Sequence, residues 1–283
     1  MIIWLASYPK SGNTWIRVYL NNLFYSDKYG SNINRLKIGQ FPNRSHFQGL
    51  TNNIDDIKEF SENCINAQEK INLSNQTKFF KTHHAYWKSG KNTFTNNLNS
   101  LGVIYIVRDP RNIITSLKNH HEFKTYDESL NYMESNDAYV YKEHNKSYAK
   151  FSYIGSWKMH HNSWNNSKIY RMLTVKYEDM ENDPYKTFRD IVVFINTICK
   201  FNNRVNEKKI EKSIESTNFE KLKKFEEDGS FTENRYKKDK KEKIKFFYLG
   251  KKNNWKTILS DEIKNKMNKI YNDDLIKFNY EKN

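Results

Sequence analysis

The sequence predicts an α/β fold in three layers, a central parallel sheet with helices on both faces. Three observations predict it. Residues 2–7, "IIWLAS", and 102–107, "GVIYIV", are apolar at consecutive positions, which suits strands buried on both faces. Helical patterns alternate with strand patterns along the chain, and that alternation makes neighbouring strands parallel. No Pro/Gly/Ser-rich linker and no internal repeat divides the 283 residues, so residues 1–283 are expected to form a single domain.

The elements follow in order. After the first strand, "TWIRVYLNNLFY" (14–25) places Trp15, Val18, Tyr19, Asn22 and Leu23 at helical spacing. Residues 27–76 are polar and Asn-rich with helix signals around "NNIDDIKEF", and they read as an insertion over one end of the sheet. "TKFFKTHH" (77–84) is a second strand and "GVIYIV" a third. Pro110 in "RDPRNIITSLKNHH" suits a helix's first turn. The segment from about 126 to 166 reads as helical and aromatic-rich. "YRMLTVKY" (170–177) is another strand, and Pro184 stands near the start of the next helix. Residues 204–226 read as one charged amphipathic helix, 229–254 as a Lys-rich, glycine-flanked loop, and 260–278 as a final helix.

Composition narrows the function classes. The formal net charge is +15, from 48 basic and 33 acidic residues. Such a balance fits either a solvated basic surface or a polyanionic partner: a nucleotide, a nucleic acid or an anionic membrane. Cys64 and Cys199 sit in no metal-ligand spacing, which argues against a zinc site or a disulfide scaffold and fits a reducing cytoplasm. No metal is expected. The first apolar run is too short for a signal peptide, and "IVVFINTI" (191–198) is far below membrane-spanning length.

The chemistry concentrates in "SYPKSGNTW" (7–15), between the first strand and the first helix. A nucleotide-triphosphate loop places its lysine after the second glycine. Here Lys10 precedes Gly12, which is followed by Asn13 and Thr14. The backbone amides of Lys10 to Thr14 suit an anion at a helix N-terminus, while Lys10 projects from the loop tip. That arrangement suits a nucleotide with one 5′-phosphate whose transferable group lies near Lys10.

These residues resemble the 5′-phosphosulfate loop of the sulfotransferases that use 3′-phosphoadenosine 5′-phosphosulfate (PAPS), and further segments agree in order. "KTH" (81–83) is similar to the family's catalytic Lys-x-His. "YIVRDPRNIITS" (105–116) is similar to its 3′-phosphate segment, with Arg108 and Ser116. "GSWKMHHNSW" (155–164) and "VKYEDM" (175–180) resemble later landmarks, "STNF" (216–219) the adenine-contacting Thr-x-Phe, and "GKKNNWK" (250–256) the C-terminal Gly-x-x-Gly-Asp-Trp-Lys. The resemblance spans nearly the whole chain. It implies a P-loop-like fold and in-line sulfuryl transfer from PAPS to a hydroxyl or an amine, with adenosine 3′,5′-bisphosphate (PAP) as the second product.

Roles carry over by position. Lys10 stands as a fixed cation where charge grows on the bridging oxygen, or else as a surface lysine. His83, with Lys81 pointing the same way, stands as the general base at the ligand-binding end of a strand, or else as a core histidine; His84 points opposite and reads as structural. Ser11, Gly12, Asn13 and Thr14 complete the loop. Arg108 and Ser116 suit a phosphate, unless Arg108 pairs with Asp109. The resemblance makes Trp15, Tyr177, Thr217 and Phe219 the adenine clamp. His120, His121, His160 and His161 form pairs without metal geometry.

The chain departs from the family's pattern. Asn13 stands where threonine is commoner, its amide expected to donate to phosphate. Tyr248-Leu249 precede Gly250 where the family has Arg-Lys, so Lys251 or Lys252 is expected to supply the missing cation. Asn253-Asn254 replace Gly-Asp, and the dimer motif of some members is not recognisable in "KTILSDEIKNK" (256–266), which leaves oligomeric state open. The acceptor, a small molecule, sugar or lipid alcohol, is expected to meet the variable segments 27–76 and 120–150. Two rival readings are a nucleotide kinase, which lacks its Gly-Lys pair and an acidic Mg²⁺ ligand, and a basic nucleic-acid-binding protein with a patch such as 235–245.

Overall fold

The computed structural model describes residues 1–26, 36–141, 151–169, 171–201, 206–229, 231, 235–236 and 242–280. In chain order the elements are β1 (Ile2–Ser7), α1 (Asn13–Tyr25), β2 (Gly39–Gln40), α2 (Ile57–Asn72), β3 (Lys78–Thr82), β4 (Lys88–Ser89), β5 (Asn92–Thr93), β6 (Ser100–Val107), α3 (Pro110–His121), α4 (Tyr126–Glu134), β7 (Tyr139–Tyr141), β8 (Phe151–Tyr153), α5 (Trp157–Asn165), β9 (Met172–Lys176), α6 (Tyr177–Asn182), α7 (Pro184–Cys199), α8 (Glu207–Ser216), α9 (Phe219–Glu227), β10 (Arg235–Tyr236), β11 (Lys243–Ile244), α10 (Trp255–Ile258), α11 (Asp261–Ile270) and α12 (Asn272–Lys277). A 3₁₀ turn, Gly250–Lys252, precedes α10.

The central sheet has the order β2-β3-β1-β6-β9, with every pairing parallel. β1 lies in the middle and is buried along its whole length, which explains its unbroken apolar run. Successive side chains face opposite layers. Trp4 and Ala6 join the core shared with α2, α3, α5 and α11, whereas Ile3 and Leu5 join the core shared with α1 and α7. Trp4 is fully buried among Phe41, Phe80 and Phe94, and its indole N–H donates to Ser100 Oγ at 2.7 Å. Truncating an aromatic so enclosed costs about 3–5 kcal/mol.

Helix starts follow their capping residues. Asp109 accepts from Arg111 N at 2.9 Å, with Pro110 in the first turn of α3, and Asp183 caps α7 ahead of Pro184. Among the described residues no helix is long and apolar enough to cross a membrane.

The structure corrects several sequence expectations. The segment 126–166 is not helical throughout: α4 and α5 flank an antiparallel pair, β7 with β8, in which Tyr139 faces Tyr153. Its aromatics suit a half-buried pleated surface, and Phe151 packs edge-on against Phe60. The helix expected over 204–226 is two, because Thr217 ends α8 by donating to Ser213 O at 2.8 Å and Asn218 caps α9. The final helix is likewise divided at Tyr271. Residues 27–76 contribute the edge strand β2, paired through Gly39 and Gln40 with Phe80 and Lys81. Residues 27–35 and 142–150 of the acceptor-side segments, and most of the basic stretch 229–241, lie outside the described residues.

Candidate active site

The loop from Tyr8 to Gly12 joins the central strand to α1 at the strand's C-terminal edge, where sheets of this class take ligands. Lys10 (φ 68°) and Gly12 (φ 95°) both lie in the left-handed region. A Cβ on Gly12 would stand 2.5 Å from Tyr177 Cδ2, so this glycine is required by contact as well as by φ. No side chain caps α1. Among the described residues, each of the other helices of eight or more residues carries a side-chain N-cap. The first-turn N–H groups of α1 are thus left for an anion. Around them, the buried Ser11 Oγ, Trp15 Nε1 and Arg108 Nε have no hydrogen-bond partner among the described residues. Three such orphaned atoms beside an uncapped helix fit a polar, anionic ligand such as a nucleotide.

Arg108, just past the end of β6, reaches this loop. Its Nη1 donates to Lys10 O at 3.0 Å and its guanidinium carbon lies 4.0 Å from the Tyr177 ring centroid. Asp109 does not pair with it. Asp109 instead holds Arg111 at 2.8 Å, and Arg111 stacks 3.8 Å over Trp255 and donates to Asn268 Oδ1, joining α3 to α10 and α11. Tyr177 donates to Glu181 Oε1 at 3.1 Å, and burial pushes its phenol well up. Trp15 meets Tyr177 edge to face at 6.0 Å, so two members of the expected adenine clamp are in contact.

His83 follows the last residue of β3 and is half-buried. Its Nδ1 lies 2.9 Å from Ser7 O and 3.3 Å from Ser7 Oγ. A carbonyl only accepts, so Nδ1 carries the proton and Nε2 carries the lone pair. The His83 carbonyl in turn accepts from His160 Nε2 at 3.2 Å, and Tyr105 donates to His160 Nδ1 at 2.8 Å. Burial pushes His160 down to about 3, which keeps it neutral in this chain of bonds. Lys81, two residues earlier, is buried opposite Leu5 of β1. His84 is fully buried and stacked between the rings of Phe60 and Phe94, a structural histidine as its alternation implies. His161 faces Asp274 at 3.0 Å, and His120 lies edge-on to His121.

The C-terminal segment closes on the same region. Ser116 on α3 receives Asn253 Nδ2 at 3.2 Å, and the same amide reaches Asn112 O at 2.8 Å. Asn253 directly follows the turn that bears the exposed Lys251 and Lys252. Gly250 (φ 55°) sits so close to Phe219 that a Cβ would approach its ring to 2.4 Å. The structure thus brings Gly250, Phe219 and Trp15 to one small core with Val18 and Phe247. Thr217 is fully buried, with its hydroxyl committed to the α8 backbone.

One sequence reading needs revision, and two residues near the site went unread. The Asn13 side-chain amide does not face the loop's anion site: it donates to Leu5 O at 2.8 Å and to Ser7 Oγ at 3.1 Å, which leaves the Asn13 backbone N–H for a ligand. The sequence also gave no reason to single out Phe246, whose ring centroid lies 4.1 Å from Lys10 Nζ. Glu226 holds that segment by accepting from the backbone N–H groups of Phe246 and Phe247. Ser7 was equally hidden, although it opens the motif.

Comparison with known proteins identifies the family and the fold. The family model for the sulfotransferase domain matches residues 2–279. Flavonol 3-sulfotransferase of Flaveria bidentis is 25% identical over 287 residues, covering 96% of this chain and 81% of the relative. Luciferin sulfotransferase of Photinus pyralis is 24% identical over 229 residues, covering 77% of this chain and 56% of the relative. Among solved structures, a mouse sulfotransferase complexed with PAP superposes with a TM-score of 0.58 at 20% identity, covering 96% of this chain and 83% of that one. Retinol dehydratase in complex with androsterone and PAP gives 0.57 at 18%, covering 97% and 80%. The chain belongs to the sulfotransferase domain family and is a PAPS-dependent sulfotransferase with that family's P-loop-like α/β fold.

Proposed function

We propose that the acceptor is a hydroxyl compound, that His83 is its general base and that Lys10 is the electrostatic catalyst. The observation that carries the reading is the bond from His83 Nδ1 to Ser7 O, at the strand end that leads into the donor loop, which leaves the Nε2 lone pair to serve as base. When bound, PAPS supplies an electrophilic sulfuryl group on a phosphate leaving group. His83 Nε2 takes the acceptor's proton. The Lys10 ammonium stands where negative charge develops, and Lys81 adds a second positive charge on the His83 side. A cation so placed stabilises the transition state more than the ground state.

The remaining residues hold the nucleotide. The backbone N–H groups of Lys10 to Thr14 and the Ser11 hydroxyl take the 5′-phosphate. Arg108 and Ser116 take the 3′-phosphate, with Lys251 or Lys252 in place of the family's Arg-Lys. Trp15, Tyr177 and Phe219 enclose the base, backed by Thr217 and Gly250. Relatives named for flavonols and luciferin favour a small-molecule acceptor over a nucleic acid. The unpaired Cys64 and Cys199 suit a cytoplasmic setting, and the chain is read as one domain.

The test is His83→Ala assayed with PAPS and a pooled metabolite extract. Products that gain one SO₃ unit should appear with wild type and vanish with the variant, while PAP binds both about equally. A variant that turns over normally overturns the base assignment.

A further inference from the structure

Asn13 is the chain's own departure within the donor loop, and the structure gives its amide an occupation unrelated to phosphate. The residue is 3% exposed. Both of its N–H bonds are used, one on Leu5 O at 2.8 Å and one on Ser7 Oγ at 3.1 Å. These acceptors lie in the last turn of the pleat of β1, and Ser7 is the strand's final residue. Ser7 O and Ser7 Oγ are the two atoms that meet His83 Nδ1, at 2.9 and 3.3 Å. A continuous set of hydrogen bonds therefore runs from the first residue of α1, through the end of β1, to the imidazole beyond the end of β3.

The residue type matters. An amide has two donors and can bridge a carbonyl and a hydroxyl together, whereas threonine has one donor and cannot hold both. Asn13 also opens the helix whose N-terminus is the anion site, so the grip on Ser7 is anchored to the element that takes the donor's phosphate. Hydrogen bonding at one ring nitrogen decides which tautomer a histidine adopts.

We propose that Asn13 is a positioning residue for the base: by fixing Ser7 it holds His83 as the Nδ1–H tautomer, with the Nε2 lone pair presented to the acceptor. The proposal rests on the reading of His83 as general base. It assigns the chain's exchange of threonine for asparagine to tautomer control, with donor binding left to the backbone.

The experiment is a long-range ¹H–¹⁵N correlation spectrum of histidine-labelled, PAP-bound protein, paired with steady-state kinetics. In wild type His83 should be protonated at Nδ1 and bare at Nε2. Asn13→Ala should give a mixture of tautomers, a kcat lower by about 10–100-fold, the scale for losing an orienting partner, and PAP affinity within about twofold of wild type. Asn13→Thr, which keeps one donor and covers the case in which the alanine variant does not fold, should fall between the two. Ser7→Ala should lower kcat in the same direction, and adding Asn13→Ala to it should cost less than the two separate effects combined. An unchanged His83 tautomer in both Asn13 variants overturns the proposal, as does an unchanged kcat. Normal turnover in His83→Ala is a different failure: it removes the base reading, and this proposal falls with it.

Discussion

Arg108 Nη1 donates to the carbonyl oxygen of Lys10 at 3.0 Å. Through this bond the arm proposed to hold the 3′-phosphate also fixes the backbone proposed to hold the 5′-phosphate. The same guanidinium covers Tyr177, whose ring in turn packs on Gly12. Lysine cannot stack, bond to Lys10 O and contact a phosphate at once, because its charge is a single point. Arg108→Lys should weaken PAP binding by about 1–3 kcal/mol in calorimetry, the scale of hydrogen bonds to charged groups.

Gly12→Ala should be worse than an ordinary helix-start substitution. The position has φ 95°, and a Cβ would lie 2.5 Å from the Tyr177 ring. Strain at such a residue is of order 1–3 kcal/mol. The expected outcome is a lowered urea midpoint together with loss of PAP binding.

Acid should destabilise the fold through His160. Burial pushes this residue from its ordinary 6.5 down to about 3. The unfolded chain binds a proton near pH 6.5 that the folded chain refuses until the pH is much lower. The stability tied to this group is therefore complete above pH 6.5 and is lost as pH falls toward 3. Its slope approaches about 1.4 kcal/mol per pH unit. Urea unfolding between pH 7 and 5 should show a steeper decline for wild type than for His160→Gln.

Lys251→Ala/Lys252→Ala tests the altered 3′-phosphate clamp. Both lysines are exposed beside Asn253, whose amide touches Ser116. Wild type should prefer PAP to the nucleotide lacking the 3′-phosphate, and the double variant should lose roughly 1–3 kcal/mol of that preference. The preference should also weaken with salt, since exposed lysines are screened.

Much of this was legible in the chain. β1 and β6 were readable because burial on both faces leaves an unbroken apolar run, and α3 and α7 because Asp-Pro marks their starts. The loop around Lys10 was readable because Pro-Lys-Ser-Gly joins an apolar strand to a helix, the place where backbone amides meet an anion. β2 was not, since two residues become a strand only through their partners Phe80 and Lys81. The break at Tyr271 was hidden because the apolar spacing continues across it into Leu275. The Asn13 bonds and the Phe246 ring over Lys10 depend on folding remote or reversed segments together, and local pattern carries no trace of them.

The central claim is that this loop performs sulfuryl transfer, with Lys10 supplying the charge. The most direct measurement compares wild type and Lys10→Met for formation of SO₃-bearing products from PAPS and a pooled acceptor extract, read by mass spectrometry. The account predicts PAPS-dependent products from wild type and a rate lower by about 10²-fold or more in the variant, with the fold and PAP binding retained. A Lys10→Met protein that forms those products at the wild-type rate contradicts it.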